Sequence, residues 1–210
     1  MIRKGVLVVV SGFSGAGKGT LMKALMDKYD NYALSISATT RKPREGEADG
    51  REYFFKTVDE FEQLIDQDSL IEYARYVDNY YGTPKDYVEK QLNSGKDVIL
   101  EIEIQGALKV KAKMPETVLI FVTPPSAEEL KKRLVNRGTE EMDVIKARLR
   151  RANEEAEGMA GYDYVLINDD LDQCVNQLHS IILGEHSATE RNSAFIKKIS
   201  EELKGLMKGE

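Results

Sequence analysis

Short apolar runs alternate with amphipathic segments along most of the chain. Four runs rich in valine, isoleucine and leucine, without regular polar alternation, lie at residues 6–10, 98–100, 118–122 and 164–167. Runs of this kind are typical of strands that are covered on both faces. Apolar residues recur at helical spacing at about residues 18–28, 105–113, 126–136 and 171–183. The alternation predicts an α/β fold with a parallel sheet and right-handed crossovers.

Three segments depart from this rhythm. Residues 35–87 are rich in tyrosine and charge, with several glycine turn signals, and they predict an inserted α+β region. Residues 137–158 are dense in charge and predict a further helix. Residues 185–210 carry apolar side chains at helical spacing beside lysines and glutamates, which predicts an amphipathic helix. We expect this last helix to pack on the chain's own core, and packing on a second subunit is the alternative.

Composition and charge narrow the classes of protein. The chain has 210 residues, a formal net charge of -6 and one cysteine, Cys174. The length fits one compact domain with insertions. An acidic chain is not expected to bind nucleic acid or membrane surfaces generally, and one cysteine excludes an intrachain disulfide. The longest apolar runs are strand-sized, so we expect no membrane span and a cytoplasmic location.

The segment from Gly12 to Lys18 has the spacing of a glycine-rich phosphate loop between a strand and a helix. Its glycines let backbone N–H groups face an anion, and Lys18 can reach the outer phosphates. Gly19 stands where many such loops have the hydroxyl that contacts Mg²⁺. We therefore expect Mg²⁺ to be held through ATP and waters, near Thr20 and Glu101. The loop residues expected to bind ATP are Gly12, Phe13, Ser14, Gly15, Ala16, Gly17, Lys18, Gly19 and Thr20.

The inserted region carries two arginines, Arg41 and Arg44, on either side of Pro43, with Tyr53 shortly after. Proline fixes its own φ and restricts the residue before it, so the arginines belong to a stiffened loop. Two guanidiniums and a phenol can bind a phosphate dianion. The alternative is a solvated loop in which the arginines pair with the loop's own acids, which are Glu45, Glu47, Asp49 and Glu52.

At these motifs the chain resembles the guanylate kinases, which phosphorylate GMP. The resemblance covers about residues 5–184 in that family's order. It is carried by SGFSGAGKGT, SATTRKPREGE with Tyr53, IEYARYVDNYYGTP, LEIEIQGA, PPSAEELKKRLVNRGTE and NDDL. It implies a P-loop NTPase-type parallel sheet core flanked by helices, an inserted α+β GMP-binding region and a helical lid. It also implies transfer of the γ-phosphate of ATP to GMP or dGMP, giving ADP and GDP, in purine nucleotide metabolism.

The resemblance also implies a division of the chain. A guanylate-kinase-like domain would span residues 1–184, and a C-terminal extension would follow at 185–210. Within the domain, the expected core comprises residues 1–34, 88–130 and 159–184. The GMP-binding region would be residues 35–87, and the lid would be residues 131–158.

By motif position, the resemblance assigns two sets of GMP contacts. The residues expected at the GMP phosphate are Arg41, Arg44, Tyr53 and Tyr81. The residues expected at the guanine are Ser37, Glu72 and Thr83. Guanine has N–H donors at N1 and N2 beside an acceptor at O6, so its pocket needs a carboxylate next to hydroxyl donors. Adenine would leave a buried carboxylate unpaired, which rejects the wrong base.

Two acids, Glu101 and Glu103, follow the apolar run at residues 98–100. A phosphate-loop enzyme keeps an acid near the metal or the acceptor at this place. The family frequently has aspartate at the second position, where this chain has Glu103. Both acids are expected on the GMP side of the site, and the division of their roles is left open.

The lid segment is rich in basic residues. The resemblance implies that Arg133, Arg137 and Arg148 act with Lys18 as the catalytic cations, because two anionic nucleotides repel unless cations lie between them. Other basic residues are expected on a solvated helix face, and these are Lys131, Lys132 and Arg151. Asn168 is expected beside the adenine.

No general base is required, since the second pKa of a phosphate monoester is about 6. His179 and His186 lie outside every motif and are not expected to be catalytic. The expected ligands are ATP with Mg²⁺ and GMP or dGMP, and a homo-oligomer is left open. One alternative is a noncatalytic module that binds phosphorylated peptides, which an intact loop with Lys18 disfavours. The other is a kinase for a different small molecule, which Ser37, Glu72 and Thr83 would distinguish.

Overall fold

The computed structural model describes residues 3–76, 78–136 and 142–207. Within these residues the strands are β1 (Leu7–Gly12), β2 (Tyr32–Leu34), β3 (Ala38–Thr39), β4 (Phe54–Phe55), β5 (Leu70–Tyr76), β6 (Asn79–Pro84), β7 (Asp97–Glu101), β8 (Val118–Thr123) and β9 (Tyr164–Ile167). The helices are α1 (Lys18–Lys28), α2 (Val58–Asp66), α3 (Lys85–Asn93), α4 (Ile104–Lys113), α5 (Ala127–Asn136), α6 (Met142–Ala156), α7 (Leu171–Glu185) and α8 (Ser193–Met207).

The larger sheet is parallel, with strand order β2-β7-β1-β8-β9. Successive side chains of a strand point to opposite faces, and β1 lies in the middle of the sheet. Val8 packs with residues of α1, α5 and α7, whereas Val9 packs with residues of α3 and α4. Helices therefore cover both faces, and the predicted α/β fold is confirmed.

The strand pairing aligns the carboxyl ends of the parallel strands at one edge of the sheet. Gly12 ends β1, Glu101 ends β7, and Asn168 follows β9 directly. Ligands of open parallel sheets bind outside this edge. The topology therefore brings the phosphate-loop motif, the two acids and the NDDL motif to one place.

The apolar pattern at residues 164–167 was expected to be covered on both faces, and that expectation is wrong. β9 is the end strand of the sheet, and Leu166 is its only buried residue. Val165 and Ile167 are 47% and 55% exposed. Periodicity can show that a run is apolar, but it cannot show that the run ends up at an edge.

The inserted region has its own sheet, with strand order β4-β3-β6-β5. α2 packs beside it and begins with a capping box, in which the Thr57 side chain accepts from the Glu60 N–H and the Glu60 carboxylate accepts from the Thr57 N–H. Phe61, Ala38 and Leu70 form the small buried core of this region. The region is therefore α+β, as its composition predicted.

The C-terminal helix α8 is amphipathic, as predicted. It was expected to pack on the core, and it does not. None of its residues is buried, and Phe195 and Leu203 are 62% and 57% exposed. The chain before α8 does contact the core, because His186 Nε2 lies 2.8 Å from Asp97 Oδ1. None of the described helices is long and apolar enough to cross a membrane.

Three residues that the sequence leaves outside the chemistry, His186, His179 and Cys174, have structural contacts of their own. Asp97 begins β7, so its contact with His186 is at the sheet edge opposite the loop. His179 stacks on Tyr29, with ring centroids 3.7 Å apart. Cys174 is buried in the core, where burial raises the pKa of its thiol to about 11. A thiol with so high a pKa is a poor nucleophile at neutral pH.

Candidate active site

The phosphate loop connects the central strand β1 to α1, and its glycines are required by close contacts. A Cβ atom on Gly12 would lie 2.1 Å from the carbonyl oxygen of Val122 on β8. Gly17 has a φ of +88°, in the left-handed region that favours glycine, and its Cβ would lie 2.6 Å from the Asn168 side-chain nitrogen. Other residues at these positions would push the loop away from the sheet.

Two side chains, Lys18 and Asn168, donate hydrogen bonds to carbonyl oxygens of the loop. Lys18 Nζ donates to the carbonyl oxygens of Gly12 at 2.7 Å and Phe13 at 3.3 Å, so the lysine folds back over the loop. Asn168 Nδ2 donates to the Ala16 carbonyl oxygen at 2.8 Å in a buried hydrogen bond. The residue expected beside the adenine therefore holds the loop backbone.

A cavity of about 460 Å³ opens next to this loop. Its charged lining residues are Lys18, Glu101, Glu103, Arg148, Arg151 and Glu155. Arg148 reaches it from α6 and donates to Ser14 Oγ at 2.7 Å, which joins the lid helix to the loop. We call this the phosphate cavity, because residues of the glycine-rich loop and three cationic side chains, Lys18, Arg148 and Arg151, line it.

A second cavity, of about 400 Å³, lies between the core sheet and the inserted sheet. Ser37, Tyr53, Thr83 and Glu101 are among its lining residues. We call it the acceptor cavity. Glu101 lines both cavities, so the two adjoin at the end of β7.

Glu72 is 9% exposed and lies behind the wall of the acceptor cavity. Thr83 lines that cavity, and its Oγ1 donates to Glu72 Oε1 at 2.8 Å. A Cβ on Gly106, in the first turn of α4, would lie 3.5 Å from Glu72 Oε2. Burial raises the pKa of the Glu72 carboxyl above its ordinary value, and the hydrogen bond from Thr83 opposes this rise.

The expected phosphate contacts of GMP cluster on the inserted region. The Arg41 guanidinium lies 5.3 Å from the centroid of the Tyr53 ring, and the Tyr53 and Tyr81 ring centroids are 6.0 Å apart. Arg41 Nη2 is also 2.9 Å from each carboxylate oxygen of Glu47. Pairing with the loop's own acid is thus present at Arg41, beside the aromatic cluster.

Glu47 connects the two arginines of the loop, Arg41 and Arg44. One of its oxygens accepts from the Arg44 N–H at 2.8 Å, in addition to the contact with Arg41. The Arg44 N–H and the Arg41 guanidinium hold the pKa of the Glu47 carboxyl below its ordinary value. One guanidinium nitrogen of Arg41 thus contacts both oxygens of Glu47, and a guanidinium can make such charge-assisted hydrogen bonds to carboxylate and phosphate alike.

Comparison with known proteins bears on this geometry. The family model described as guanylate kinase matches residues 4–185. The chain belongs to the guanylate kinase family. It is 52% identical over 200 residues to the guanylate kinase of Caldanaerobacter subterraneus subsp. tengcongensis, covering 95% of this chain and 97% of that one. It is 51% identical over 202 residues to the guanylate kinase of Bacillus subtilis, covering 96% and 99%.

A solved structure of a guanylate kinase family member shares the architecture. The crystal structure of guanylate kinase from Anaplasma phagocytophilum matches with a TM-score of 0.69 at 33% identity. The match covers 91% of this chain and 92% of that chain. Kinases of this family use ATP with a divalent metal. Among the described residues, no group of three or more histidines, cysteines, aspartates or glutamates could hold a metal ion.

Not every residue expected from the guanylate kinase motifs reaches the two cavities. Arg137 lies outside the described residues. Arg133 Nε bonds to Glu129 Oε1 at 2.9 Å on α5, and Arg133 is not among the described residues that line the phosphate cavity. Thr20 is exposed on α1 and does not line that cavity either. Their roles remain predictions.

Arg151 was expected on a solvated helix face, and its side chain is indeed 49% exposed, but it also lines the phosphate cavity. Its Nη2 lies 2.7 Å from Glu103 Oε2. The spacing held a signal, because residues three apart lie on the same face of a helix and Arg151 follows Arg148 by three. Tyr76, at the end of β5, also lines the phosphate cavity; it belongs to the IEYARYVDNYYGTP motif, from which no role was expected for it.

Proposed function

We propose that this member of the guanylate kinase family transfers the γ-phosphate of ATP to GMP or dGMP. One observation carries the proposal: the acceptor cavity, backed by the buried Glu72 and Thr83 pair, adjoins the phosphate cavity at Glu101. A donor and an acceptor bound in adjoining cavities would be held next to each other, which removes much of the entropic barrier. A cytoplasmic location, where both nucleotides are found, is part of the proposal.

ATP would bind at the phosphate loop. Gly12, Ser14 and Lys18 of the loop line the phosphate cavity together with Arg148, and the loop N–H groups at the N-terminus of α1 would bind the phosphates. These groups would stabilise negative charge on the phosphoryl group during transfer. Asn168 supports this end of the site by fixing the Ala16 carbonyl oxygen, which keeps the loop N–H groups turned toward the anion.

GMP would bind at the acceptor cavity. Ser37 and Thr83 line it and supply hydroxyl groups, and the Glu72 carboxylate bonded to Thr83 would accept from guanine N1 and N2. Arg41, with Tyr53 and Tyr81, would bind the phosphate, and Arg41 would exchange the Glu47 carboxylate for it. Arg44, three residues from Arg41, would supply a second guanidinium.

The reaction needs positioning and charge neutralisation more than proton transfer. The GMP phosphate is largely deprotonated at neutral pH, since its second pKa is about 6, and can attack without a base. His179 and His186 lie away from both cavities, in keeping with this. Glu101 and Glu103 would instead serve the acceptor and the metal.

Mg²⁺ fits the residues at the phosphate cavity. Glu101 and Glu103 line it, and carboxylate oxygens are the ligands that Mg²⁺ accepts, often through waters. When bound with ATP, Mg²⁺ supplies positive charge to the β- and γ-phosphates. Thr20 is exposed outside the cavity, so the two acids are the better candidates to hold the ion's waters.

The substrate assignment can be tested directly. ADP formation from ATP would be followed with GMP, dGMP, AMP, CMP and UMP offered separately, in the presence of Mg²⁺. We expect turnover with GMP and dGMP and at least about a hundredfold lower kcat/KM with AMP, because adenine leaves Glu72 unpaired. Turnover with AMP but none with GMP would overturn the substrate, and silence with every nucleotide would favour a noncatalytic binding module.

A further inference from the structure

Arg151 joins two parts of the site that are far apart in sequence. It lies on α6, and its Nη2 is 2.7 Å from Glu103 Oε2, across a sequence separation of 48 residues. Its Nε lies 2.9 Å from Glu155 Oε1, one turn further along the same helix. The pair with Glu155 is an ordinary surface pair within a helix. The pair with Glu103 connects the lid helix to the core.

Glu103 occupies a place where an unpaired charge would oppose the reaction. It precedes α4 directly and lines the phosphate cavity together with Lys18 and Arg148. A carboxylate here would repel the phosphates of both nucleotides. Arg151 pairs with that carboxylate at 2.7 Å and offsets part of its charge.

The guanidinium of Arg151 is held between two carboxylates, because its Nη2 meets Glu103 Oε2 and its Nε meets Glu155 Oε1. The Arg151 and Glu103 side chains are 49% and 68% exposed, so the contact biases the direction of Glu103 rather than fixing it. Glu103 is thereby oriented by a residue of the lid.

We propose that Arg151 is a positioning residue of the phosphoryl-transfer site, which orients and partly neutralises Glu103 and so couples the lid helix α6 to the acceptor side. The inference rests on the proposed function. It predicts that Arg151 acts through Glu103, so a change at Arg151 has little effect once Glu103 has lost its charge.

The experiment compares Arg151→Ala and Arg151→Lys with Arg150→Ala. Arg150 is the neighbouring exposed arginine on α6, and among the described residues it forms no ion pair with Glu103. All three variants keep the helix, and the two alanine variants remove the same charge. Steady-state kinetics with GMP and ATP, calorimetric GMP binding and thermal unfolding would be measured for each.

We expect Arg151→Ala to raise the KM for GMP about tenfold and to change the KM for ATP by less than about threefold. Arg150→Ala should stay within about twofold of the wild type in both. Arg151→Lys retains a cation and should recover part of the loss. Similar unfolding temperatures would show that the fold is intact.

A double-mutant cycle with Glu103→Gln tests the mechanism. Adding Arg151→Ala to Glu103→Gln should weaken GMP binding by less than about twofold further, since the partner charge is gone. An undiminished penalty in the Glu103→Gln background, or equal effects of the two alanine variants, would overturn the inference while the proposed function stands. Absence of GMP turnover in the wild type would overturn both.

Discussion

The phosphate loop and the inserted acceptor region hold their functional groups in different ways. The loop follows β1, whose residues Leu7 to Ser11 are buried, and it is fixed by backbone contacts to β8 and Asn168. The inserted region has two-residue strands β3 and β4, and its Arg41 is held by a polar contact to Glu47. The loop is thus held by a buried frame, and we propose that it binds the phosphates of the donor, whereas Arg41 would exchange Glu47 for the phosphate of the acceptor.

The largest effect is expected from replacing the lysine of the phosphate loop, Lys18. Lys18→Met should lower kcat by about two to three orders of magnitude, because charge on the transferred phosphoryl group loses its nearest cation. GMP binding, measured by calorimetry, should change by less than about threefold. Near-normal kcat in a folded variant would show that the loop does not supply this charge.

Alanine substitutions at two loop glycines should show which of the two positions has room for a side chain. Gly12→Ala should lower the free energy of unfolding by at least about 2 kcal/mol, because its Cβ would meet the Val122 carbonyl oxygen. Gly19→Ala is the matched control, since no atom lies within 4 Å of its Cβ. Alanine in this first turn of α1 should stabilise by up to about 1 kcal/mol. Chemical denaturation would measure both, and equal effects would contradict the packing argument.

Changes in the acceptor region should alter recognition more than stability. Glu72→Gln should raise the KM for GMP about 10- to 100-fold, because a charge-assisted hydrogen bond to guanine is lost. The KM for ATP should remain near that of the wild type. Glu89→Gln, at an exposed glutamate of α3, serves as the control. A Glu72→Gln enzyme with unchanged GMP kinetics would remove Glu72 from the guanine site.

A smaller effect is expected in the pH dependence of GMP binding. Burial raises the pKa of Glu72, and only the ionised carboxylate can accept from both guanine N–H groups, one at each oxygen. The KM for GMP should therefore rise as pH falls through this raised pKa. Thr83→Val removes the opposing hydrogen bond, so the rise should begin at higher pH. Comparing the two enzymes cancels the titration of GMP itself, and superimposable profiles would disprove the coupling.

The smallest effect is expected at the C-terminus. Deleting residues 193–210 should leave kcat/KM within about twofold and the unfolding temperature within a few degrees, because α8 has no buried residue. Kinetics and calorimetry of the truncated chain would check this. A large loss of either quantity would mean that α8 packs on a surface in solution.

Local patterns predicted the parts of the fold that local forces determine. β1, the phosphate loop and α1 were predictable because glycine spacing, an apolar run and helical periodicity occur together. β2 has three residues and α3 is largely polar, so neither has a pattern long enough to read. The amphipathic pattern of α8 predicted a helix but could not show what covers it.

Some features of the candidate site could also be predicted from the sequence, and others could not. The motifs bring Arg41, Tyr53 and Tyr81 together, as expected. The sequence could not choose between a phosphate socket and a self-paired loop, because Glu47 is compatible with both. The position of the exposed Arg151 at the phosphate cavity could not be predicted, because a run of basic residues does not reveal which face of the helix lies toward the loop.

The hydrogen bond from Asn168 to Ala16 spans 152 residues. The strands of the parallel sheet must therefore all be synthesised before the phosphate loop can accept the hydrogen bond from Asn168. Fragments that end before Asn168 contain the complete glycine motif, but they lack the side-chain amide that bonds to its Ala16 carbonyl oxygen. The loop therefore gains this support only late in synthesis, although the motif itself is among the first residues made.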